Sequence, residues 1–183
     1  MPLKETSDQE IFKSKYLSVR EKTFEEWDPW QYVTRWKGIV AGLLIHEEND
    51  SFIFLDQYRY PIGDRILSLV AWIIDKEGLS SEQTFREEVA EEAWYKKVDR
   101  VEFVTKSSTD SWWTDQIVDL YYGYVSWEKW EQDLDQSEDI NVLEVKIDDF
   151  DRFFTEKMSQ WIIDPFVGFL WYMYIAKHRM KNW

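Results

Sequence analysis

Three glutamates on one side of a predicted helix could bind a metal ion through their carboxylates: Glu88, Glu91 and Glu92. At roughly 100° per residue, Phe85 and Val89 lie on an apolar stripe and the three glutamates lie on a neighbouring stripe. Like charges three and four residues apart destabilise a helix by roughly 0.2–0.5 kcal/mol per pair, and a bound cation would relieve this repulsion. Because hard cations prefer oxygen ligands, the pattern predicts a site for Mg²⁺ or Mn²⁺.

A solvated acidic helix is the alternative interpretation of this pattern. The chain contains 36 Asp and Glu among 183 residues, so about one position in five is acidic by composition alone. Ser80 or Ser81 can cap the helix, which places Glu82 and Gln83 in its first turn, where the helix dipole favours acidic groups. The helix pattern by itself therefore leaves both interpretations open.

The stretch from Ala71 to Tyr95 resembles a Nudix box, which reads Gly, five residues, Glu, seven residues, and then Arg-Glu-U-x-Glu-Glu-x-Gly-U, where U is aliphatic. Glu88-Val89-Ala90-Glu91-Glu92 matches the second half of the box. Ala71-Trp72-Ile73-Ile74-Asp75 is similar to the Ala-Gly-Ile-Ile-Asp that opens the box in ADP-ribose pyrophosphatases, with a loop one residue longer. Four positions depart from the pattern: Trp72 and Trp94 stand for Gly, Leu79 for Glu and Glu87 for Arg.

Three further segments are similar to ADP-ribose pyrophosphatases and occur in the same order. The first is Gln57-Tyr58-Arg59-Tyr60-Pro61, after a predicted hairpin. The loop 107–116 resembles Ser-Pro-Gly-x-Thr-Asp-Glu, with Trp112 at the Gly and Gln116 at the Glu. Ile163-Asp164-Pro165 begins the last predicted helix, with Asp164 as its cap. The resemblance covers roughly residues 24–179.

The resemblance implies an α/β fold: a Nudix α/β/α sandwich with a mixed β-sheet, plus a small N-terminal antiparallel sheet. Residues 1–36 are expected to form dimerisation strands, and residues 37–183 a Nudix hydrolase domain that is a single structural unit. Because small exposed sheets tend to pair with another chain, we expect a homodimer.

The activity that the resemblance implies is Mg²⁺-dependent hydrolysis of the diphosphate in a nucleoside diphosphate derivative, first of all ADP-ribose to AMP and ribose 5-phosphate. Mn²⁺ is the alternative metal. The implied ligands are Glu88, Glu92, the carbonyl oxygen of Ala71, and Glu138 in an acidic loop over residues 128–139. Glu91 is implied as a further ligand or as the residue that orients a metal-bound water.

The resemblance also implies residues that bind the substrate. Arg59 would hold a phosphate through bidentate hydrogen bonds, a role that suits its planar guanidinium. A structural salt bridge is the alternative role for this arginine. Tyr32 or Phe24, in the N-terminal strands, would stack on the adenine, unless these aromatic side chains only pack in a core.

A catalytically weak Nudix-fold protein that binds a nucleotide or a partner is the alternative function. The resemblance implies a general base in the acidic loop, and the expected position carries Gln136, which cannot accept a proton, so Asp135 or Glu138 would have to act instead. Trp72 and Trp94 at glycine positions also favour this alternative. The surviving glutamates favour the enzyme.

Composition limits the location and partners of the chain. It contains no cysteine and has a polar N-terminus without a signal-peptide pattern, so we expect a cytoplasmic protein. The formal net charge of −14 argues against a nucleic-acid or anionic membrane partner. The expected ligand is therefore a small molecule linked to a nucleoside diphosphate, which needs a metal to approach the acidic helix.

Tryptophan usage is abnormal, because the chain has 12 Trp and only 6 Gly. Several Trp stand where glycine is expected in a turn, since glycine alone tolerates positive φ readily. Our hypothesis is that some of them, including Trp72, Trp94 and Trp112, replace glycine through UGA codons, which some bacterial lineages translate as glycine and others as tryptophan.

Overall fold

The computed structural model describes residues 2–35, 37–126 and 131–178, so residues 1, 36, 127–130 and 179–183 lie outside the described residues. Parts of the expected N-terminal segment, acidic loop and C-terminal helix fall among them. The elements are β1 (Glu5–Lys13), β2 (Ser18–Phe24), β3 (Trp30–Thr34), β4 (Ile39–His46), β5 (Ser51–Arg59), β6 (Asp64–Ser68), β7 (Val70–Ile73), α1 (Ser81–Glu92), β8 (Val98–Ser108), β9 (Ile117–Val125), β10 (Ile140–Lys146), α2 (Phe150–Met158), β11 (Ile162–Ile163) and α3 (Pro165–His178).

The strands from β4 onwards form one mixed sheet, called the large sheet below. Within the described ranges it has eight strands, in the order β11-β6-β5-β4-β9-β8, with β10 paired to β5 and β7 paired to β4. Strand β4 runs parallel to β9 and antiparallel to β5 and β7. Its residues are almost continuously buried, as the apolar run in the sequence predicts for a central strand.

Helices cover both faces of the large sheet. On one face, α2 and α3 contribute Phe150, Phe166, Val167 and Leu170 to a core that includes Leu43, Phe54 and Tyr122. On the other face, α1 contributes Phe85, Val89 and Ala93 to a second core. The expected α/β fold with a mixed sheet between helical layers is therefore confirmed.

Two glycines let α1 approach the large sheet closely. A β-carbon at Gly42 would lie 2.5 Å from the ring of Phe85, and one at Gly123 would lie 2.9 Å from the same ring. Only a residue without a side chain leaves room for the ring at either position. This contact sets the height of α1 above β4 and β9, and so the position of its glutamates.

The expected strand over residues 66–74 is wrong in one respect, because the structure divides it at Leu69 into β6 and β7. Strand β6 pairs with β5, whereas β7 pairs with β4 at Ile39–Ile73 through Gly42–Val70. Strand β5 pairs with β4 further along, at Leu44–Ile53 through His46–Ser51. The break lets the chain pass from one partner strand to the other.

Strands β1, β2 and β3 form a separate antiparallel sheet, called the small sheet below, as expected. Strand β1 is exposed along nearly its whole length. The small sheet meets the loop before β9 through a hydrogen bond of 2.7 Å from the Val33 amide to the Trp113 carbonyl. None of the described helices is long and apolar enough to cross a membrane.

Candidate active site

Helix α1 begins with a capping box that fixes its first turn. The hydroxyl of Ser80 accepts a hydrogen bond from the Gln83 amide at 3.2 Å, and the Gln83 side chain accepts one from the Ser80 amide at 2.9 Å. Of the two caps that the sequence allowed, the structure uses Ser80. The register places Glu88 and Glu92 towards the large sheet, where 3% and 2% of their surfaces are exposed.

Glu88 is a buried carboxylate without a cation in contact. Its pKa is raised from 4.5 to about 8, chiefly by burial and then by the negative charge of Glu91, while the charge of Lys76 opposes both effects. Among the described residues, no lysine or arginine forms an ion pair with it. Burying an unpaired carboxylate is costly, so this position is not explained by folding alone.

Glu92 lies deeper and has one oxygen unsatisfied. Its pKa is raised well above the usual value, first by burial and then by the negative charges of Glu88 and Glu138. The positive charge of Arg59 opposes this rise. The Ala71 amide donates a hydrogen bond to its carboxylate. Its Oε2 atom is buried and has no hydrogen-bond partner in the described part of the chain.

The described part of the acidic loop packs against the end of α1. The Asp133 amide donates to the Glu91 carbonyl at 3.0 Å, and the Gln132 side chain donates to the Glu92 carbonyl. Further along the loop, the Asp135 amide donates to Glu138 Oε2 at 2.8 Å. Burial first, and then nearby carboxylates including Asp135, raise the pKa of Glu138. The loop therefore adds Glu138 to the electrostatic environment of α1.

Arg59, at the end of β5, is a cation whose charge acts on this group from the large sheet. Burial raises the pKa of Glu92, of Glu138 and of the half-buried Asp164, and the charge of Arg59 opposes the rise in each case. No ion pair between Arg59 and a carboxylate occurs within the ranges described. The structural salt bridge considered as an alternative is thus not present there. Sequence reasoning assigned Asp164 only as the cap of α3, which it is, through a hydrogen bond of 2.8 Å from the Phe166 amide.

The predicted set that lies around α1 consists of Ala71, Glu88, Glu91, Glu92, Glu138 and Arg59. No group of three or more Asp, Glu or His side chains in the described ranges is arranged to hold a metal ion. The donors nevertheless fit a hard cation, because they are carboxylates, two of them are buried, and Glu92 Oε2 has no partner. The arrangement can hold a cation only together with further ligands.

A second feature, which sequence reasoning missed, is an open aromatic cleft of about 480 Å³ between the small sheet and the loop before β9. Trp30 and Trp112 stack there with ring centroids 5.3 Å apart and an interplanar angle of 24°. Pro29, Gln31 and Trp113 complete its walls. Its signal in the sequence was the unusual tryptophan count, which did not reveal that distant tryptophans meet.

The two predicted adenine-stacking residues lie in the small sheet and not in this cleft. The hydroxyl of Tyr32 donates to Asp8 at 2.9 Å, within the small sheet. Phe24 ends β2 and pairs with Glu5. Neither residue lines the cleft formed by Trp30 and Trp112.

The three tryptophans at glycine positions have different environments. Trp94 directly follows the cap of α1 and has φ +68°, in the left-handed region that glycine ordinarily occupies at this place. Trp72 lies in β7, opposite Val40. Trp112 is 67% exposed and stacks in the aromatic cleft. Trp94 is therefore the one whose backbone matches a glycine.

No protein-family model and no curated protein matches the chain. Solved structures do match it. One of them is described as the crystal structure of an ADP compounds hydrolase; it aligns with a TM-score of 0.63 and 16% identity, over 81% of this chain and 83% of that chain. At this identity the comparison shows the fold alone, and it confirms the Nudix-like fold that was expected.

Proposed function

We propose that the chain is a divalent-cation-dependent hydrolase that cleaves the diphosphate of a nucleoside diphosphate derivative. ADP-ribose, cleaved to AMP and ribose 5-phosphate, is the first candidate substrate. The burial of Glu88 and Glu92 without a cation in contact, opposite Arg59, is the observation that carries the proposal. The fold shared with a solved ADP compounds hydrolase supports it.

Glu88 and Glu92 would hold the metal, with Glu91, Glu138 and the Ala71 carbonyl as the other candidate ligands. Mg²⁺ is usually bound by one or two carboxylates together with waters and substrate phosphates. This mode fits a chain in which the described carboxylates do not form a closed site. When bound, the cation would offset phosphate charge and acidify a water molecule.

The remaining chemistry would come from the side chains of this chain. Arg59 would hold a phosphate, since it has no carboxylate partner within the described residues. Glu138 is a better candidate for the general base than Asp135. Burial raises the pKa of Glu138, and a base with a higher pKa accepts a proton more readily near neutral pH.

The aromatic cleft offers a surface for the nucleobase. Stacked tryptophans bind planar rings over their faces, and Trp112 and Trp113 are both exposed for more than half of their surface, at 67% and 66%. We therefore include Trp30 and Trp112 beside Tyr32 and Phe24 as candidates for the stacking role.

Nucleotide binding without efficient hydrolysis is the second candidate function. Gln136 stands at the expected base position, and the left-handed backbone of Trp94 places a bulky side chain directly after the acidic turn of α1. Both features lower the expected rate without removing the carboxylates or Arg59.

Magnesium-dependent release of AMP from ADP-ribose tests the proposal. The protein as given is assayed beside a Trp72→Gly, Trp94→Gly variant, with Glu88→Gln in that variant as the negative control. We expect the double glycine variant to have a kcat/KM at least about tenfold higher, roughly 1.4 kcal/mol of transition-state stabilisation. Absence of hydrolysis in all three proteins, with ADP-ribose still bound, would favour the second function.

We also propose a homodimer formed through residues 1–36. The exposed residues on or near β1 include Leu3, Ile11 and Phe12, at 49%, 45% and 56% exposure. A second copy could cover these apolar side chains and pair with the strand edge. Light scattering at micromolar concentration should give twice the chain mass of 22.4 kDa. A monomeric mass would count against this assembly.

A further inference from the structure

The loop between β7 and α1, residues 74–80, is held at both ends by its backbone. The Ile74 amide donates to the Gly38 carbonyl at 2.9 Å, and the Lys37 ammonium donates to the Asp75 carbonyl at 3.0 Å. At the other end, Ser80 is fixed by the capping box. Between these points the Leu79 amide turns back to the Lys76 carbonyl. The side chain of Lys76 is therefore presented to α1 from an anchored backbone.

Lys76 reaches two carboxylates that lie one helical turn apart on α1. Its Nζ atom is 2.7 Å from Glu87 Oε2 and 3.7 Å from Glu91 Oε1. The charge of Lys76 also acts on the buried Glu88, which lies between them in the sequence. Half of its side chain surface is exposed, so the ammonium can leave these partners without unpacking the core.

This placement differs from that of Lys97 and Lys106, which follow α1 in the chain. The Nζ atom of Lys97 is 3.3 Å from Asp99 Oδ1, and that of Lys106 is 3.0 Å from Asp119 Oδ1, so each of these lysines pairs with a single carboxylate among the described residues. Exposed pairs of that kind contribute about 0–1 kcal/mol to stability. Lys76 instead contacts Glu91 and acts through its charge on Glu88, which are two of the three glutamates of the candidate metal site.

We propose that Lys76 is an internal counter-ion of the acidic face of α1 and that it competes with the divalent cation for this face. The inference rests on the proposed function for the identity of the cation as Mg²⁺ or Mn²⁺. In the metal-free chain, Lys76 offsets part of the repulsion among the glutamates. A divalent cation that binds there meets the positive charge of Lys76 and must displace the ammonium from Glu91. Lys76 therefore weakens the affinity for the metal.

Calorimetric titration with Mn²⁺ at low salt tests this inference on the full chain. Lys76→Met removes the charge and keeps much of the aliphatic length. Lys97→Met is the matched control, because it changes the net charge equally at an exposed ion pair whose carboxylate, Asp99, is not one of the candidate metal ligands. Lys76→Arg keeps the charge at the same position. We expect Lys76→Met to lower the dissociation constant for Mn²⁺ by about 3- to 10-fold, and both controls to bind as the parent does.

The salt dependence sharpens the same experiment. Because salt screens charges that are exposed to solvent, the advantage of Lys76→Met should shrink as the ionic strength rises from about 0.02 M to about 0.5 M. If the parent binds Mn²⁺ and the Lys76→Met and Lys97→Met variants have equal affinities at low salt, the role of Lys76 is overturned and the proposed function is not. Absence of Mn²⁺ binding in every variant would overturn both this role and the proposed function. Binding by Lys76→Met and not by the parent would support the competition in its strongest form.

Discussion

In the small sheet, Asp8 receives a hydrogen bond from Arg20 at 2.8 Å, whereas on α1 the buried Glu88 has no ion-pair partner among the described residues. Partial burial would raise the pKa of Asp8, but the hydrogen bonds from Arg20 and Tyr32 outweigh it, and the pKa is lowered. For Glu88, burial is reinforced by a neighbouring carboxylate, and the pKa is raised to about 8.

The contrast distinguishes carboxylates that pair with a cation across strands from buried carboxylates that pair with no cation among the described residues. Lys4 with Glu25, and Lys22 with Glu5, continue the paired pattern across the edges of the small sheet. In each of these ion pairs the lysine already offsets the charge of the carboxylate, so no bound cation is needed to stabilise it. Unpaired buried carboxylates reduce the free energy of unfolding unless a cation binds to them. Their presence therefore indicates a functional site more specifically than a high content of acidic residues does.

Removing the buried charge of Glu88 should produce the largest effect on stability. With a chelator present to remove divalent cations, we expect Glu88→Gln to raise the free energy of unfolding by about 1–3 kcal/mol at pH 8.5. The reason is that the variant no longer buries an unpaired charge. Since the folded-state pKa of about 8 exceeds the unfolded value near 4.5, the contribution of Glu88 is favourable at low pH and is lost as the pH rises through this range. Urea unfolding at pH 5 and at pH 8.5 measures the difference.

The gain should therefore shrink towards pH 5, where the parent carboxyl is protonated in the folded chain. Glu82→Gln is the matched control, because Glu82 lies in the exposed first turn of the same helix and pairs with Arg86. A Glu88→Gln variant that is less stable than its parent at pH 8.5 in chelator would contradict the account of unpaired burial.

Two tryptophans at expected glycine positions, one after α1 and one in β7, differ in backbone conformation. Trp94 has φ +68°, whereas Trp72 lies in an extended strand. Because glycine adopts a left-handed conformation without steric cost, we expect Trp94→Gly to be neutral or to stabilise the chain by up to about 1 kcal/mol. Trp72→Gly should destabilise it, since glycine weakens a strand. Thermal unfolding of the two variants gives the signs.

The codons of the same residues provide an independent check. If Trp94 replaces glycine through codon reassignment, its codon and those of Trp72 and Trp112 should be UGA. UGG codons at these positions would refute the hypothesis, whatever the stability of the variants.

The smallest effect is expected in the small sheet. Asp8→Asn should lower stability slightly, because it weakens the contacts with Arg20 and Tyr32. The sign of its pH dependence is opposite to that of Glu88. A lowered folded-state pKa gives stability above the unfolded pKa that is lost as the pH falls through the folded value. Urea unfolding of Asp8→Asn at pH 3 and at pH 7 should show the smaller loss at pH 3.

The sequence predicted the fold well where periodicity and caps are local signals. The buried run of β4, the cap at Ser80 and the cap at Asp164 all occur as expected. The division at Leu69 was missed because it depends on which strands become neighbours, and no local pattern records that. The change of partner strand at Leu69, from β5 to β4, depends on how the whole sheet is assembled.

The candidate site was predictable in its members and not in its electrostatics. The box resemblance pointed to Glu88 and Glu92, but only the packing of Phe85 on the large sheet shows that both are buried. Trp30 and Trp112 are 82 residues apart in the sequence. They meet only because the small sheet packs against the loop before β9. Long-range contacts of this type are not encoded in spacing.

The central claim is that the acidic face of α1 binds a divalent cation, and calorimetry with Mn²⁺ tests it most directly. The parent chain should bind Mn²⁺, and the Glu88→Gln, Glu92→Gln double variant should lose binding by at least about 100-fold, because both buried carboxylates are removed. A double variant of two exposed glutamates, Glu5→Gln in β1 with Glu25→Gln directly after β2, controls for the change in net charge. Unchanged Mn²⁺ affinity in the Glu88→Gln, Glu92→Gln variant would contradict the site.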